Sequence, residues 1–181
     1  MRLFLSIDFN QQLREELSSW IPELAGWKKT PVEQVHLTLV FIGECTEQDL
    51  KTIHKRLQMI RFPRFSLEIS NLGTFPNIKN PRILWAGVSP DETLMKLQKQ
   101  VADLTESFQD RVEKREYVPH ITLARRKRNG NLKTVRNLIE KPTYPQNAYI
   151  QEFNLKQSLL KPSGSEHQTL YSYPAEEPIE E

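Results

Sequence analysis

"VHLTLVFIGE" (Val35 to Glu44) and "PHITLARRKR" (Pro119 to Arg128) spell His-x-Thr-Leu twice in a chain that holds only four histidines. Side chains along an extended strand alternate between two faces. In the first stretch His36, Thr38 and Val40 share one face, and Val35, Leu37, Leu39 and Phe41 share the other. In the second, His120, Thr122 and Ala124 oppose Ile121 and Leu123. Each stretch therefore predicts a strand that buries one apolar face and offers an imidazole beside a hydroxyl on the other. Pro119 biases Val118 toward extended geometry, which supports a strand at His120. One such word is ordinary surface pattern; two in corresponding halves of one chain predict two similar lobes whose imidazoles face each other across a cleft.

Working outward, "RLFLSIDF" (Arg2 to Phe9) reads as a strand, and residues 10–21 as a helix capped by Asn10. Residues 46–60 form a second helix, with Thr46 and Asp49 at capping-box spacing and Leu50, Ile53, Leu57 and Ile60 on one face. "FSLEISNLGTF" (65–75) and "RILWAGV" (82–88) read as strands separated by turn residues. A long helix follows from about residue 90, with Pro90 in its first turn and a stripe of Leu94, Leu97, Val101, Leu104 and Phe108. Beyond the second motif come a short helix (131–141), one strand over 148–160 and another over 168–174. No Gly- or Ser-rich linker divides the halves. The expectation is one α+β domain over residues 1–175: two pseudo-symmetric lobes of mostly antiparallel sheet, outer helices and a central cleft. "PAEEPIEE" carries all its charge as Glu, and residues 176–181 are expected to be a disordered acidic tail.

With 181 residues, 38% hydrophobic and 27% charged, the chain fits a globular protein with a substantial core. No apolar run approaches the roughly 18 residues of a membrane span, and the N-terminus lacks signal-peptide character. The single cysteine, Cys45, excludes an internal disulfide and a thiolate zinc cage. A cytoplasmic location is the expectation. The formal charge of +2 is unevenly spread: basic residues dominate from Arg111 to Lys141 and peak at Arg125 to Arg128. Beside an active site, such a cluster points to a polyanion.

Two opposed histidines suit phosphodiester chemistry. In-line displacement at phosphorus needs a base on the attacking oxygen and an acid on the leaving one, and imidazole can serve as either near neutral pH. Threonine hydroxyls can donate to the non-bridging oxygens. "HLTLVFIGE" and "PHITLARRKR", with the opening "RLFLSIDF" and "GTFPNIKNPRILWAGV" (Gly73 to Val88), resemble the 2H phosphoesterase superfamily, and within it the RNA 2′,3′-cyclic phosphodiesterases, or 2′-5′ RNA ligase-like proteins. The resemblance implies metal-independent opening of a 2′,3′-cyclic phosphate at an RNA end to a 2′-phosphate. By position it makes His36 the general acid on O3′, His120 the general base on water, and Thr38 and Thr122 the phosphate holders. It implies metal-independent chemistry with no cofactor; no membrane partner and no obligate protein partner are expected, and the chain is expected to be a monomer.

Phe41 and Arg125 each lie five residues beyond a motif histidine. Strict alternation puts both on the core face, which suits a phenyl ring but not an unpaired guanidinium. The second strand should therefore end or bulge before Arg125. The resemblance places Arg125 on the phosphate and Phe41 under a nucleobase. His54 reads as a half-buried structural residue, and His167, in "PSGSEHQ", as solvent-facing in a loop. Neither has a partner at metal-ligand spacing. Trp27, Lys28 and Lys29 could line an RNA path, although core packing explains Trp27 equally well; Arg126 to Arg128 could touch distal phosphates. Two other readings are open: a 2H enzyme acting on a small cyclic nucleotide, and a non-catalytic RNA-binding module of the same fold. The intact acid–base pair weighs against the second, and the basic cluster against the first.

Overall fold

Nine strands, arranged in two antiparallel sheets, and four α-helices make up the fold in the computed structural model, which describes residues 1–177. In chain order they are β1 (Arg2–Asp8), α1 (Gln11–Ser19), β2 (Trp27–Lys29), β3 (His36–Glu44), α2 (Glu47–Leu57), β4 (Phe65–Phe75), β5 (Ile83–Val88), α3 (Glu92–Thr105), β6 (His120–Arg126), α4 (Leu132–Ile139), β7 (Gln146–Ile150), β8 (Glu152–Lys161) and β9 (Gly164–Pro174). The first sheet runs β3-β1-β8-β9 and the second β2-β6-β5-β4-β7.

The lobes are thus interlaced rather than consecutive. Instead of two passes of strand and helix, the last two strands return to complete the first sheet, and the short β2 forms an edge of the second. The single strand expected over 148–160 is two. β7 pairs with β4, β8 pairs with β1, and the chain changes sheet at Gln151. The Gln151 carbonyl accepts from Ala175 N at 2.7 Å, which secures the crossing. An unbroken β-rich run gives no sign of such a switch, because both strands bury one face and carry similar residues.

The helices start where their caps dictate. Asn10 Oδ1 accepts from Leu13 N at 2.9 Å, and Thr46 and Asp49 make the reciprocal capping box. In α3 the cap is Asp91, whose carboxylate accepts from Thr93 N and Leu94 N at 2.8 and 3.1 Å. Pro90 accordingly precedes the helix rather than opening it. α2 and α3 pack together, with α3 against β3, and α4 lies against β4. A small cavity is lined by Glu16 of α1, Trp20 just after it, Leu72 of β4 and Leu138 of α4.

Leu3, Leu5, Ile7, Leu37, Leu39 and Ile42 of the first sheet and Leu67, Ile69, Leu84, Ala86, Ile121 and Leu123 of the second are all buried, in one continuous apolar cluster. The other face of each sheet carries the motif histidines and threonines among aromatic rings. Of the expected acidic tail, Glu176 and Glu177 are docked: Glu176 N bonds to Phe62 O at 2.9 Å, and Glu177 pairs with Arg64 at 2.7 Å. Residues 178–181 lie outside the described residues. Among the described residues no helix is long and apolar enough to cross a membrane.

Candidate active site

The two motif strands solve the same local problem in the same way. His36 begins β3 opposite Asp8, and His120 begins β6 opposite Gly87. His36 Nδ1 lies 2.6 Å from the Gln34 carbonyl, and His120 Nδ1 lies 2.8 Å from the Val118 carbonyl. A carbonyl can only accept, so each ring carries its proton on Nδ1 and turns Nε2 away from its own backbone. The carbonyl two residues upstream thus fixes tautomer and orientation at both positions. Thr38 and Thr122 follow on the same face, half-buried, and Thr38 Oγ1 stands 3.0 Å from His36 Nε2.

Beyond each threonine the strand bulges at the same place. Thr38 pairs with Ser6 and Val40 with Leu5, leaving Leu39 as the extra residue. Thr122 pairs with Trp85 and Ala124 with Leu84, leaving Leu123 extra. Leu39 and Val40 are both buried, as are Leu123 and Ala124. An extra residue reverses the alternation that follows, so Phe41 and Arg125 emerge on the histidine face. The bulge expected before Arg125 is present, and β3 carries its twin. Phe41 is 63% exposed, which excludes the core position that strict alternation assigns it. Arg125 is exposed as well.

β3 and β6 lie against each other where the lobes meet. The connector before β6 runs along the free edge of β3: Tyr117 Oη donates to Thr38 O at 2.8 Å, and Asp110 N to Ile42 O at 2.9 Å. Those bonds occupy carbonyls an edge strand would otherwise expose, and they hold the two motif strands in register.

Each histidine has an aromatic flank. Phe75 meets His120 edge-on at 4.8 Å, and Trp85 lies 6.2 Å from it. Trp85 packs over Gly73, where a Cβ would come within 2.2 Å of the indole. On the other side Phe4 lies 5.3 Å from His36 and 6.1 Å from Phe41. His167, expected in a solvent-facing loop, belongs to β9, and its ring lies edge-on to His36 at 5.4 Å and 4.8 Å from Phe4. β9 begins directly after a tight turn, and its polar, outward-facing residues read as loop. Beneath them runs an ion pair that sequence reading also missed: Lys156 Nζ to Asp8 Oδ2 at 2.9 Å, with Ser6 Oγ donating to Asp8 Oδ1 at 2.9 Å. The alternation of Phe4, Ser6 and Asp8 along β1, and a lysine between Leu155 and Gln157 in β8, were the available signals.

Both imidazoles are shifted toward the neutral form in the free protein. Burial, the largest cause, pushes His36 down to about 4. The Gln34 carbonyl opposes that shift, the Lys156 charge adds to it, Asp8 opposes it again, and His167 adds slightly. His120 is lowered too, first by burial, against the Val118 carbonyl, and with a contribution from the Arg125 charge. His54 is the half-buried structural residue expected: its Nδ1 lies 2.9 Å from Tyr173 Oη, and its ring stacks on Tyr171 at 3.7 Å. A cavity of about 370 Å³ near His54 and Arg61 contains neither motif. Among the described residues no group of three His, Cys, Asp or Glu side chains is placed to hold a metal ion.

Two antiparallel sheets, each carrying a His-x-Thr strand and meeting at those strands, are the arrangement of a 2H phosphoesterase. The chain belongs to the 2′-5′ RNA ligase superfamily, which it matches over residues 9–159. It is 32% identical to the RNA 2′,3′-cyclic phosphodiesterase of Archaeoglobus fulgidus, covering 91% of this chain and 94% of that one. With the protein of the same name from Thermotoga maritima it shares 33% identity, covering 94% of each. Among solved structures, Escherichia coli LigT complexed with 3′-AMP superposes with a TM-score of 0.82 at 25% identity, over 97% of this chain and 98% of the other. The Thermus thermophilus protein TT0787 gives 0.79 at 27% identity, over 96% and 97%.

Proposed function

We propose that this chain is an RNA 2′,3′-cyclic phosphodiesterase that opens the cyclic phosphate at an RNA end to a 2′-phosphate without a metal ion. The observation that carries the reading is the twin arrangement of His36 and His120, each pinned through Nδ1 to its own backbone with Nε2 left for chemistry. A protein that only bound RNA would have no use for two tautomer-fixed imidazoles at equivalent positions. Both come from one chain, so the site needs no second copy.

In this mechanism His120 Nε2 takes a proton from water as the water oxygen forms its bond to phosphorus. The P–O3′ bond breaks in line, and His36 Nε2–H delivers a proton to O3′. The products are a 2′-phosphate and a free 3′-hydroxyl, with the two histidines left in exchanged protonation states. Thr38 and Thr122 donate to the non-bridging oxygens, the Arg125 fork takes two phosphate oxygens, and Phe41 stacks on the terminal base. His36 must enter as imidazolium although burial holds the free ring neutral. An anion beside Nε2 reverses that preference, so the proton arrives with the substrate. Microscopic reversibility lets a 5′-hydroxyl stand in for water and form a 2′,5′ bond, but dilute RNA ends lose to abundant water.

Incubation of an oligoribonucleotide ending in a 2′,3′-cyclic phosphate, with EDTA present, tests the reading directly. A 2′-phosphate end is the expected product. An untouched ring, loss of activity to EDTA, or a 3′-phosphate product would each refute it.

A further inference from the structure

The three residues of β2 have three different fates. Trp27 is buried, and its indole Nε1 donates to Asn131 O at 3.1 Å. Lys29 Nζ donates to Ile21 O at 3.0 Å. Lys28, between them, points to the opposite face and pairs in register with Arg125 of β6. Like charges directly opposed across two strands destabilise a sheet. Here neither cation is neutralised: among the described residues no ion pair includes Lys28 or Arg125. Their neighbours differ, for Arg126 is held by Asn80 Oδ1 at 2.9 Å. Two opposed, unpaired cations on the face that carries His120 and Thr122 call for more than one negative charge.

Lys28 also reaches toward the other lobe. Its Nζ lies 3.0 Å from where a Cβ on Gly164 would stand, at the β8–β9 turn of the first sheet. Gly164 has a φ of +129°, which glycine tolerates and other residues rarely adopt. The turn therefore leaves room for the ammonium where the second sheet meets the β8–β9 turn of the first. Cβ atoms of directly opposed residues are about 5 Å apart, and two long side chains diverging from there can reach adjacent phosphates of one nucleic-acid strand.

We infer that Lys28 forms a second phosphate subsite beside Arg125, taking the phosphate on the 5′ side of the terminal nucleotide. This inference rests on the function proposed above and sharpens its substrate: a chain end carrying a 5′ phosphate is preferred to a bare nucleoside 2′,3′-cyclic phosphate. Lysine suits the position because an internucleotide phosphate needs a point charge, not the two-pronged contact of a reacting one.

Three substrates isolate the subsite: adenosine 2′,3′-cyclic phosphate, the same molecule with a 5′-phosphate, and the dinucleotide ApA ending in a 2′,3′-cyclic phosphate. In the native protein kcat/KM should rise about tenfold or more from the first to the second and third, as a charge-assisted hydrogen bond provides. Lys28→Ala should collapse that ratio toward one, and Lys28→Arg should keep most of it. The native ratio should also fall as salt rises, more steeply than in Lys28→Ala. A native ratio near one, or a ratio that survives Lys28→Ala, overturns the subsite while leaving ring opening intact. No ring opening on any of the three overturns the function itself, and the subsite with it.

Discussion

The general acid proposed here is a histidine that the fold keeps without its proton, and binding should therefore be measurably coupled to proton uptake. Burial lowers His36 to about 4, so at pH 6 only about 1% of free molecules carry the imidazolium, at tenfold per pH unit. If the bound anion restores no more than the ordinary value of about 6.5, the complex is about three-quarters protonated at that pH. The expected uptake is thus about 0.7 proton per site, and more if the anion raises His36 further. The sign follows: affinity strengthens as pH falls from 8 toward 6. The His120→Asn variant, lacking its base, should bind the cyclic end and hold it uncut. Titration calorimetry at pH 6 in buffers of different ionisation enthalpy reads the proton count as a slope. Adding His36→Asn should bring that slope close to zero. The phosphodiester itself titrates far below this range and contributes nothing. A slope near zero with His36 present, or one that survives its removal, would refute the coupling.

Other expectations concern individual residues. His36→Ala and His120→Ala should each lower turnover by about 10² or more, the usual cost of losing an acid or a base. With sulfur at the 3′ bridging position only the His36→Ala defect should shrink, and equal rescue of both would mean the roles are shared. Arg125→Ala should lose activity that Arg125→Lys does not restore, because an ammonium lacks the two-pronged geometry; full recovery with lysine would make Arg125 a generic charge. His167→Ala should admit water to His36 and raise its titration midpoint from about 4 toward the ordinary value, read from its ring resonances by NMR. An unmoved midpoint would show that His167 plays no part in that burial.

Alternation and caps were enough to place most elements, because they act within a few residues. β4 runs from Phe65 to Phe75 as its pattern predicts, and Asn10 and Thr46 cap the helices they precede. The motif pair was readable for the same reason: His-x-Thr is a two-residue period. The bulge before Arg125 was inferable from the cost of burying a guanidinium, whereas its twin before Phe41 was not, since a phenyl ring in the core carries no penalty. What stayed hidden was long-range pairing. Gln151 looks like any strand residue until β7 and β8 join different sheets. His167 reaches His36 only because β9 pairs with β8, and β8 with β1. Likewise Lys28 gains meaning only from standing opposite Arg125, about a hundred residues later.

The interlaced sheets carry a consequence for synthesis on the ribosome. All five strands of the second sheet lie between residues 27 and 150, so His120 and Arg125 can be seated while the rest of the chain is still being made. β1, by contrast, sits inside its sheet between β3 and β8, and one of its edges stays open until residues 152–161 have emerged. A nascent chain that stops short of them holds one finished half-site and one strand pair with an unsatisfied edge, which invites pairing with other chains rather than chemistry. The sheet that carries His36 is completed last. A product that ends before residue 152 then lacks the strand that closes the His36 sheet, whatever the state of the sheet that carries His120.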